Sequence, residues 1–529
     1  MSLHFLVALP VNIFLIVLSG YAQVAVGTTQ AANSAIFELK SSEKGFLPPR
    51  MTTAQRNAIA DPELGLTIYN TDELALNSFN GNLWESARFG PANTPCLNNL
   101  PFTYGGSGGE LLSAVDMDSS GNYYLGGGFQ GTTIIDTATS TSAGGLDLFL
   151  AKTNSKGKVL WRQFIGTPGF ETLRALKIGS GGDLFICCSF SGTITLGNFT
   201  ITQGGTGSDF FVACLNKEDG SYKWVKKGNV SSSTDNIRMN LSENDDIYAG
   251  GRYSGTLDPG TVASITSTNG DDLFLMRLDK TGSIRFLKSA GGPGTDQLDY
   301  LTSKGAFTYF TGTFSSSITI GPDNLTGNSD VVFGAIDSSG TFLWGKKAGG
   351  GAQDFAGPVV ITKENDIIFS GTFPGANFSI GGTNYNSTGA LDIAYVKYSP
   401  SGNVTWTQKF GGTATETQSA YTISPEGKIF VSGQTAGSFT LGGNNLTSCL
   451  WFGEMDPANG NFLWTNKATS IPNFFSGPML YKNYPYPQLV FGGRFANPIY
   501  FGTENCNVRN SVGNTDIYVG LLTTDGKFY

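Results

Sequence analysis

Residues 119–132, SSGNYYLGGGFQGT, and 146–161, LDLFLAKTNSKGKVLW, hold the unit that decides the fold. A strand-like run carries Gly-x-aromatic, an Asp opens a second apolar run, and a Gly-containing turn leads to a third run ending on a large ring. Working outward, the first run returns as LFICCSF (184–190), IYAGGRY (247–253), TYFTGTF (308–314), IIFSGTF (367–373), IFVSGQT (429–435) and LVFGGRF (489–495). Seven copies about 60 residues apart predict an all-β fold, a seven-bladed β-propeller of four-stranded blades, because a repeat of this length cannot bury its own apolar faces and must stack on its neighbours.

Each column of the repeat has a physical reading. The Gly column is Gly127, Gly251, Gly312, Gly371, Gly433 and Gly493, with Cys188 as the exception. Glycine inside a strand marks a bulge or the close approach of another backbone. The aromatic two residues on is Phe129, Phe190, Tyr253, Phe314, Phe373 and Phe495, with Thr435 as the exception. Asp147, Asp209, Asp272, Asp330, Asp392 and Asp516 open the third strands, and Cys449 takes the sixth place. These aspartates read as acceptors for the N–H groups of the preceding turn rather than as a metal ring. The fourth-strand rings Trp161, Trp224, Phe286, Trp344, Trp406 and Trp464 read as packing between blades. Gly166, Gly228, Gly291, Gly349 and Gly411 mark the passage to the next blade.

The last repeat stops at GKFY, and LPFTY (100–104) precedes the first repeat without strands of its own. An N-terminal strand is therefore expected to complete the last blade and remove its exposed edge. The whole pattern of residues 100–529 resembles the SBBP family of β-propeller repeats, which implies a secreted or surface-exposed propeller, generally without an assigned activity. The sixth third strand and the seventh repeat follow that pattern loosely.

Residues 1–22 read as a signal peptide: FLVALPVNIFLIVL (5–18) is short for a bilayer span, and Ser19-Gly20-Tyr21-Ala22 places small residues at the cut. The expected domains are thus 1–22, a small α+β module at 23–95, and the propeller at 96–529. In the module, a strand, a Pro-Pro break, a helix from about Thr52 to Ile59 capped by Thr53, and a hairpin around Asn80-Gly81 are expected. Its KGFLPPRMT core is similar to modules that precede surface and fibre-like domains in secreted proteins of Bacteroidota. So small a core favours docking or self-association through residues 23–95.

Composition limits the chemistry. Gly is abundant at 72 residues and charged residues make up only 14%, as tight turns between strands would produce. With 33 basic and 41 acidic residues the net charge is −8, which argues against nucleic acid and against a polybasic membrane patch. The six cysteines are Cys96, Cys187, Cys188, Cys214, Cys449 and Cys506, too scattered for a disulfide framework. The single histidine, His4, lies in the expected signal peptide, so Ser-His-Asp, Cys-His and His-metal chemistry are not expected of the exported form.

Carboxylate chemistry stays open, with Glu171, Asp235, Asp296, Asp354 and Glu416 before the second strands as candidates. Nothing singles out a pair. MDPANGNFLW (455–464) and Cys187-Cys188 resemble features of quinoprotein propellers, but the other repeats fit that pattern poorly. The reading is noncatalytic recognition of glycan or protein outside the cell, with no cofactor and no membrane span in the mature form. Thr/Ser/Asn-rich hairpins at 133–145 and 262–270 are candidate sugar contacts. A carbohydrate-active enzyme using axial Asp/Glu, or a purely structural surface component, are the alternatives.

Overall fold

The computed structural model describes residues 24–28, 37–72, 75–79, 84–87, 102–470, 474–483, 487–496, 499–501, 511 and 514–526. The signal peptide at 1–22, the Asn80-Gly81 turn, Cys96 and Cys506 lie outside them. The chain divides into two compact units, 1–95 and 96–529.

In the first unit, Val24–Val26 pairs in parallel with Phe37–Leu39, and Arg50–Met51, Thr67–Asn70, Ala75–Phe79 and Trp84–Ala87 form a four-stranded sheet. The helix spans Thr53–Asn57, and its cap is Thr52 rather than Thr53. Gln55 three residues on completes a capping box, in which Thr52 Oγ1 accepts the Gln55 N–H and Gln55 Oε1 accepts the Thr52 N–H. The small core is partly polar: Arg56 donates to Asn77 Oδ1 at 2.6 Å and Asn70 to the same oxygen at 2.9 Å.

The second unit is a propeller. Blade 1 is an antiparallel sheet of Gly109–Met117, Tyr123–Gln130, Asp147–Thr153 and Val159–Ile165, and five further sheets repeat it in chain order. The seventh holds Phe474–Asn483, Pro487–Phe495 and Asp516–Thr523, with Phe102–Tyr104 as its fourth strand. First strands touch in a closed cycle from blade 1 round to blade 7 and back, so they line the inside of a ring of seven sheets.

Inter-blade packing explains the aromatic of the fourth strand. Each ring covers a positive-φ glycine in the turn of the next blade: Trp161 over Gly220, Trp224 over Gly282, Phe286 over Gly340, Trp406 over Gly460 and Trp464 over Gly526. A side chain on those glycines would collide with the ring. Phe102 supplies the ring over Gly157 of blade 1, so the closing strand makes the same joint as its counterparts. Tyr104 is buried and donates its hydroxyl to the Gly157 carbonyl.

The hairpins between second and third strands brace the ring. One side is apolar and buried, as with Ile135, Ile194, Leu196, Leu257, Phe378 and Ile380. In blades 2 and 6 the fourth strand pairs with the next blade's hairpin, which covers part of its outer edge.

Candidate functional site

One rung carries the shared residues of the repeat in every blade but the sixth, where Thr435 and Cys449 replace the aromatic and the Asp. On it a first-strand residue faces the second-strand aromatic, which faces the third-strand Asp: Glu110, Phe129 and Asp147 in blade 1, Glu171, Phe190 and Asp209 in blade 2. The third-strand carboxylates accept N–H groups four residues back, as expected: Ala143 to Asp147, Thr268 to Asp272 and Thr388 to Asp392. Their bulk explains the passage glycines, since a Cβ on Gly166, Gly291, Gly349 or Gly411 would strike Asp147, Asp272, Asp330 or Asp392.

The candidate catalytic carboxylates sit at the seams between blades. Glu171, Asp296, Asp354 and Glu416 are at most 1% exposed. Each accepts the N–H four residues back, from Thr167, Gly292, Gly350 and Gly412. Their own amides donate to the preceding blade, at Leu146, Asp271, Ser329 and Leu391 carbonyls. Closed off and spent on backbone, they are joints rather than open acids. Asp235 is one residue out of this register, which Thr234 occupies. Glu110, the blade 1 member, stands thirteen residues before its second strand, as Glu171, Asp354 and Glu416 do, so the same spacing marks it although it is not among the candidates above.

A second column does break the repeat. Every first strand bulges at one place, and the bulged residues are Ser113, Arg174, Asn236-Ile237, Asp299, Gly357-Pro358, Ser419 and Gly477-Pro478 in blades 1 to 7. The Gly column of the second strand faces these bulges: a Cβ on Gly127, Gly312 or Gly433 would lie 1.8, 2.0 or 2.2 Å from the Leu111, Gln297 or Thr417 carbonyl oxygen. The glycine that marked a bulge in the sequence therefore marks it on the partner strand.

Bulges re-aim side chains, and in blades 2–4 they gather a polar cluster inside the ring. Arg174 donates to Asp235 at 2.7 Å, and Arg252 bridges Asp235 and Asp271 at 3.5 Å each. Asn236, held at φ 56°, donates to Asp299 at 2.6 Å. Arg238 donates to the Asp299 carbonyl at 2.6 Å, its guanidinium 5.6 Å from the centre of the Tyr300 ring. Burial lowers the Arg174 pKa, with Asp235 pulling it back up, and burial raises that of Asp299 against the hydrogen bond from Asn236. Three guanidiniums balanced by three carboxylates, all partly exposed, can donate and accept hydrogen bonds in fixed directions.

Blade 4 departs from the repeat again at the turn between first and second strands. A two-residue Gly305-Ala306 hairpin puts Phe307, 42% exposed, where other blades have Asn122, Asp246 or Asp366. A groove of ≈ 440 Å³ there is lined by Glu243, Lys304, Phe307, Tyr309, Asn365 and Pro400.

The other candidates take structural roles. Threonine hydroxyls of the hairpins bond each other across the ladder, Thr132 to Thr141, Thr193 to Thr202 and Thr256 to Thr266 at 2.9–3.2 Å. Cys187, Cys188, Cys214 and Cys449 are unbridged and buried, and burial pushes the Cys187 thiol up to about 12. Among the described residues no group of three or more His, Cys, Asp or Glu is placed to hold a metal ion, and no helix is long and apolar enough to cross a membrane.

Residues 25–98 match the family described as a phage tail like trimerisation region. No curated protein matches the chain. Among solved structures it is similar to a polysaccharide lyase, an ulvan lyase, at 11% identity and a TM-score of 0.43, covering 80% of this chain and 96% of that one. The Dos1 propeller gives 10% identity and a TM-score of 0.38 over 81% and 97% of the two chains. BamB from Moraxella catarrhalis gives 10% and 0.32 over 77% and 95%.

Proposed function

We propose that this chain is a noncatalytic recognition protein, exported to the cell surface or beyond it, whose propeller binds glycan or protein and whose N-terminal module holds chains together as a trimer. The observation that carries the reading is the polar cluster of Arg174, Asn236, Arg238 and Asp299, which arises only where the bulge column departs from the repeat. Residues that follow the repeat hold blades together, and those that break it are free to serve a ligand. Burial of Glu171, Asp296, Asp354 and Glu416 weighs against the alternative of a glycosidase working with these carboxylates, and the SBBP-like repeat favours a surface role. A glycan array probed with the protein, with hits assayed for cleavage, tests it. Binding without product is expected, weakened at least ~10-fold by Arg174→Ala with Asp299→Ala, a loss of one or more charged hydrogen bonds. Product formation would make the protein an enzyme, and unchanged binding in that variant would shift the site to the Phe307 groove or elsewhere.

Trimer assembly draws on an apolar surface as well as on the family match. Val24 pairs with Phe37 and Val26 with Leu39, so the four share one face of a two-stranded sheet, each 43–55% exposed. Phe46, Leu47 and Leu64 are 67–74% exposed. A two-stranded sheet with a bare apolar face needs cover. Analytical ultracentrifugation is expected to give three times the chain mass, and Phe37→Asp with Leu39→Asp to give single chains. A wild-type monomer would remove this part of the reading.

A further inference from the structure

Three second strands carry tyrosine at the same position, Tyr124 in blade 1, Tyr248 in blade 3 and Tyr309 in blade 4, and the third-strand residue directly opposite is Lys152, Arg277 and Ala335 in turn. In blades 1 and 3 that cation lies over the tyrosine, with Lys152 Nζ 5.3 Å and the Arg277 guanidinium 5.9 Å from the ring centre. It reaches on to the next blade's turn between third and fourth strands. Lys152 meets Glu218 there, and Arg277 donates to the Ser338 carbonyl at 2.5 Å. Blade 5 keeps the cation opposite Ile368, as Lys397, which donates to the equivalent Pro457 carbonyl at 3.1 Å. A carboxylate just before the second strand completes the arrangement: Asp246 holds Arg277 at 2.7 Å and Asp366 holds Lys397 at 2.8 Å.

Blade 4 keeps these surroundings and omits the cation. Pro400 is the equivalent of Ser338 and Pro457. Where the Pro457 carbonyl accepts both Trp406 and Lys397, the Pro400 carbonyl accepts, among the described residues, the Trp344 indole alone, at 3.4 Å. Phe307 stands in place of Asp246 and Asp366, its ring centre 6.5 Å from that of Tyr309, so a second ring replaces the carboxylate. The groove of ≈ 440 Å³ lies here, lined by both rings, by Pro400 and by Glu243, which pairs with no cation among the described residues. Lys304, the cation in the lining, is turned into blade 5, where its Nζ donates to the Thr362 and Lys363 carbonyls at 3.0 and 3.3 Å. Blades 2, 6 and 7 follow neither pattern, with Phe185, Phe430 and Val490 opposite Cys214, Glu454 and Leu521.

We propose that the groove beside Tyr309 takes an arginine side chain from a partner protein, in the place that Lys152 and Arg277 fill from within the chain in blades 1 and 3. The repeat supplies the template: the same ring and the same turn carbonyl are present, and the cation between them is missing. Ring faces attract a cation, and the Pro400 carbonyl and Glu243 carboxylate offer it directed acceptors. A guanidinium suits the place better than an ammonium, because it stacks on a ring while donating in its own plane, as Arg277 does among Tyr248, Ser338 and Asp246. Phe307 is 42% exposed, so the rim is open and the side-chain stem can continue into a polypeptide. The site is apart from the polar cluster inside the ring and does not depend on what that cluster binds.

Saturation-transfer NMR on the full chain tests this, with N-acetyl-arginine methylamide and its neutral citrulline counterpart as probes. Transfer to the arginine δ-methylene is expected, and none to citrulline. Phe307→Ala should weaken binding about 2–5-fold, the size of one cation–ring contact. Phe307→Asp with Ala335→Lys rebuilds the ion pair of blade 5, where Lys397 is itself only 7% exposed, and should abolish transfer while melting no lower than wild type. Equal transfer to both probes, transfer to neither, or undiminished arginine transfer in the rebuilt variant would overturn the proposal. So would transfer to free arginine without transfer to the capped residue, since the groove would then have no room for a chain. If the rebuilt variant does not fold, Phe307→Ala at its exposed turn decides alone, and unchanged affinity there overturns the proposal.

Discussion

A chain beginning at residue 105 is expected to be about 4 kcal/mol less stable than one beginning at residue 96, with blade 7 opening first. The shorter chain lacks Phe102 and Tyr104, whose rings pack on each other, with Phe102 also on Tyr123, and burial of an aromatic side chain contributes ~1.5–3 kcal/mol. It also leaves the third strand of blade 7, Asp516–Thr523, without its outer partner and Gly157 without its covering ring. Chemical denaturation would report the loss, and hydrogen exchange would place it, because residues 517–519 lie opposite the closing strand. Equal melting and equal protection in the two chains would show that the ring does not depend on this joint.

Gly127→Ala is expected to cost ~3 kcal/mol or more, at the upper end for adding a methyl group to a packed interior. Its Cβ would lie 1.8 Å from the Leu111 carbonyl oxygen, so the backbone of the bulge itself must move. Gly371 occupies the same column with 3.3 Å to the Phe355 carbonyl, and Gly371→Ala is expected to cost under ~1 kcal/mol. Denaturant titration of the two variants decides between a column fixed by bulge carbonyls and one fixed by strand propensity alone. Similar costs at both positions would support the second.

Much of the propeller could be read in advance because repeats turn a three-dimensional requirement into a column of letters. Asp147 and its equivalents, Trp161 and its equivalents, and the closing role of residues 100–104 were all legible, since seven copies cannot share a residue without sharing its joint. The candidate site was not, for the complementary reason. Arg174, Asn236 and Asp299 are unlike one another, and only the bulge that places them is repeated. The glycines facing the bulges were the available signal, but a glycine shows that backbone approaches without showing from which strand. Asp235 was drawn in by a spacing one residue shorter than that of Glu171, and Thr234 takes the seam position in blade 3. Composition alone could not separate two roles for the hairpin threonines: a hydroxyl that suits a sugar also suits the threonine opposite.

The closing joint has a consequence for how the chain comes to be folded. Tyr104 pairs with Ile517 and Glu110 binds Thr515, some four hundred residues away in sequence, so the first propeller strand to emerge cannot pair until the last has been made. At chain elongation of ~5–20 residues per second that wait is about 20–80 s, during which Phe102 and Tyr104 have no sheet to join. Six blades built from local hairpins can assemble meanwhile, and contacts between near neighbours form fast. Ring closure is left as a single long-range event at the end, so the slow step of folding and the exposure of an open sheet edge fall at the same place, between blade 7 and the strand that was waiting for it.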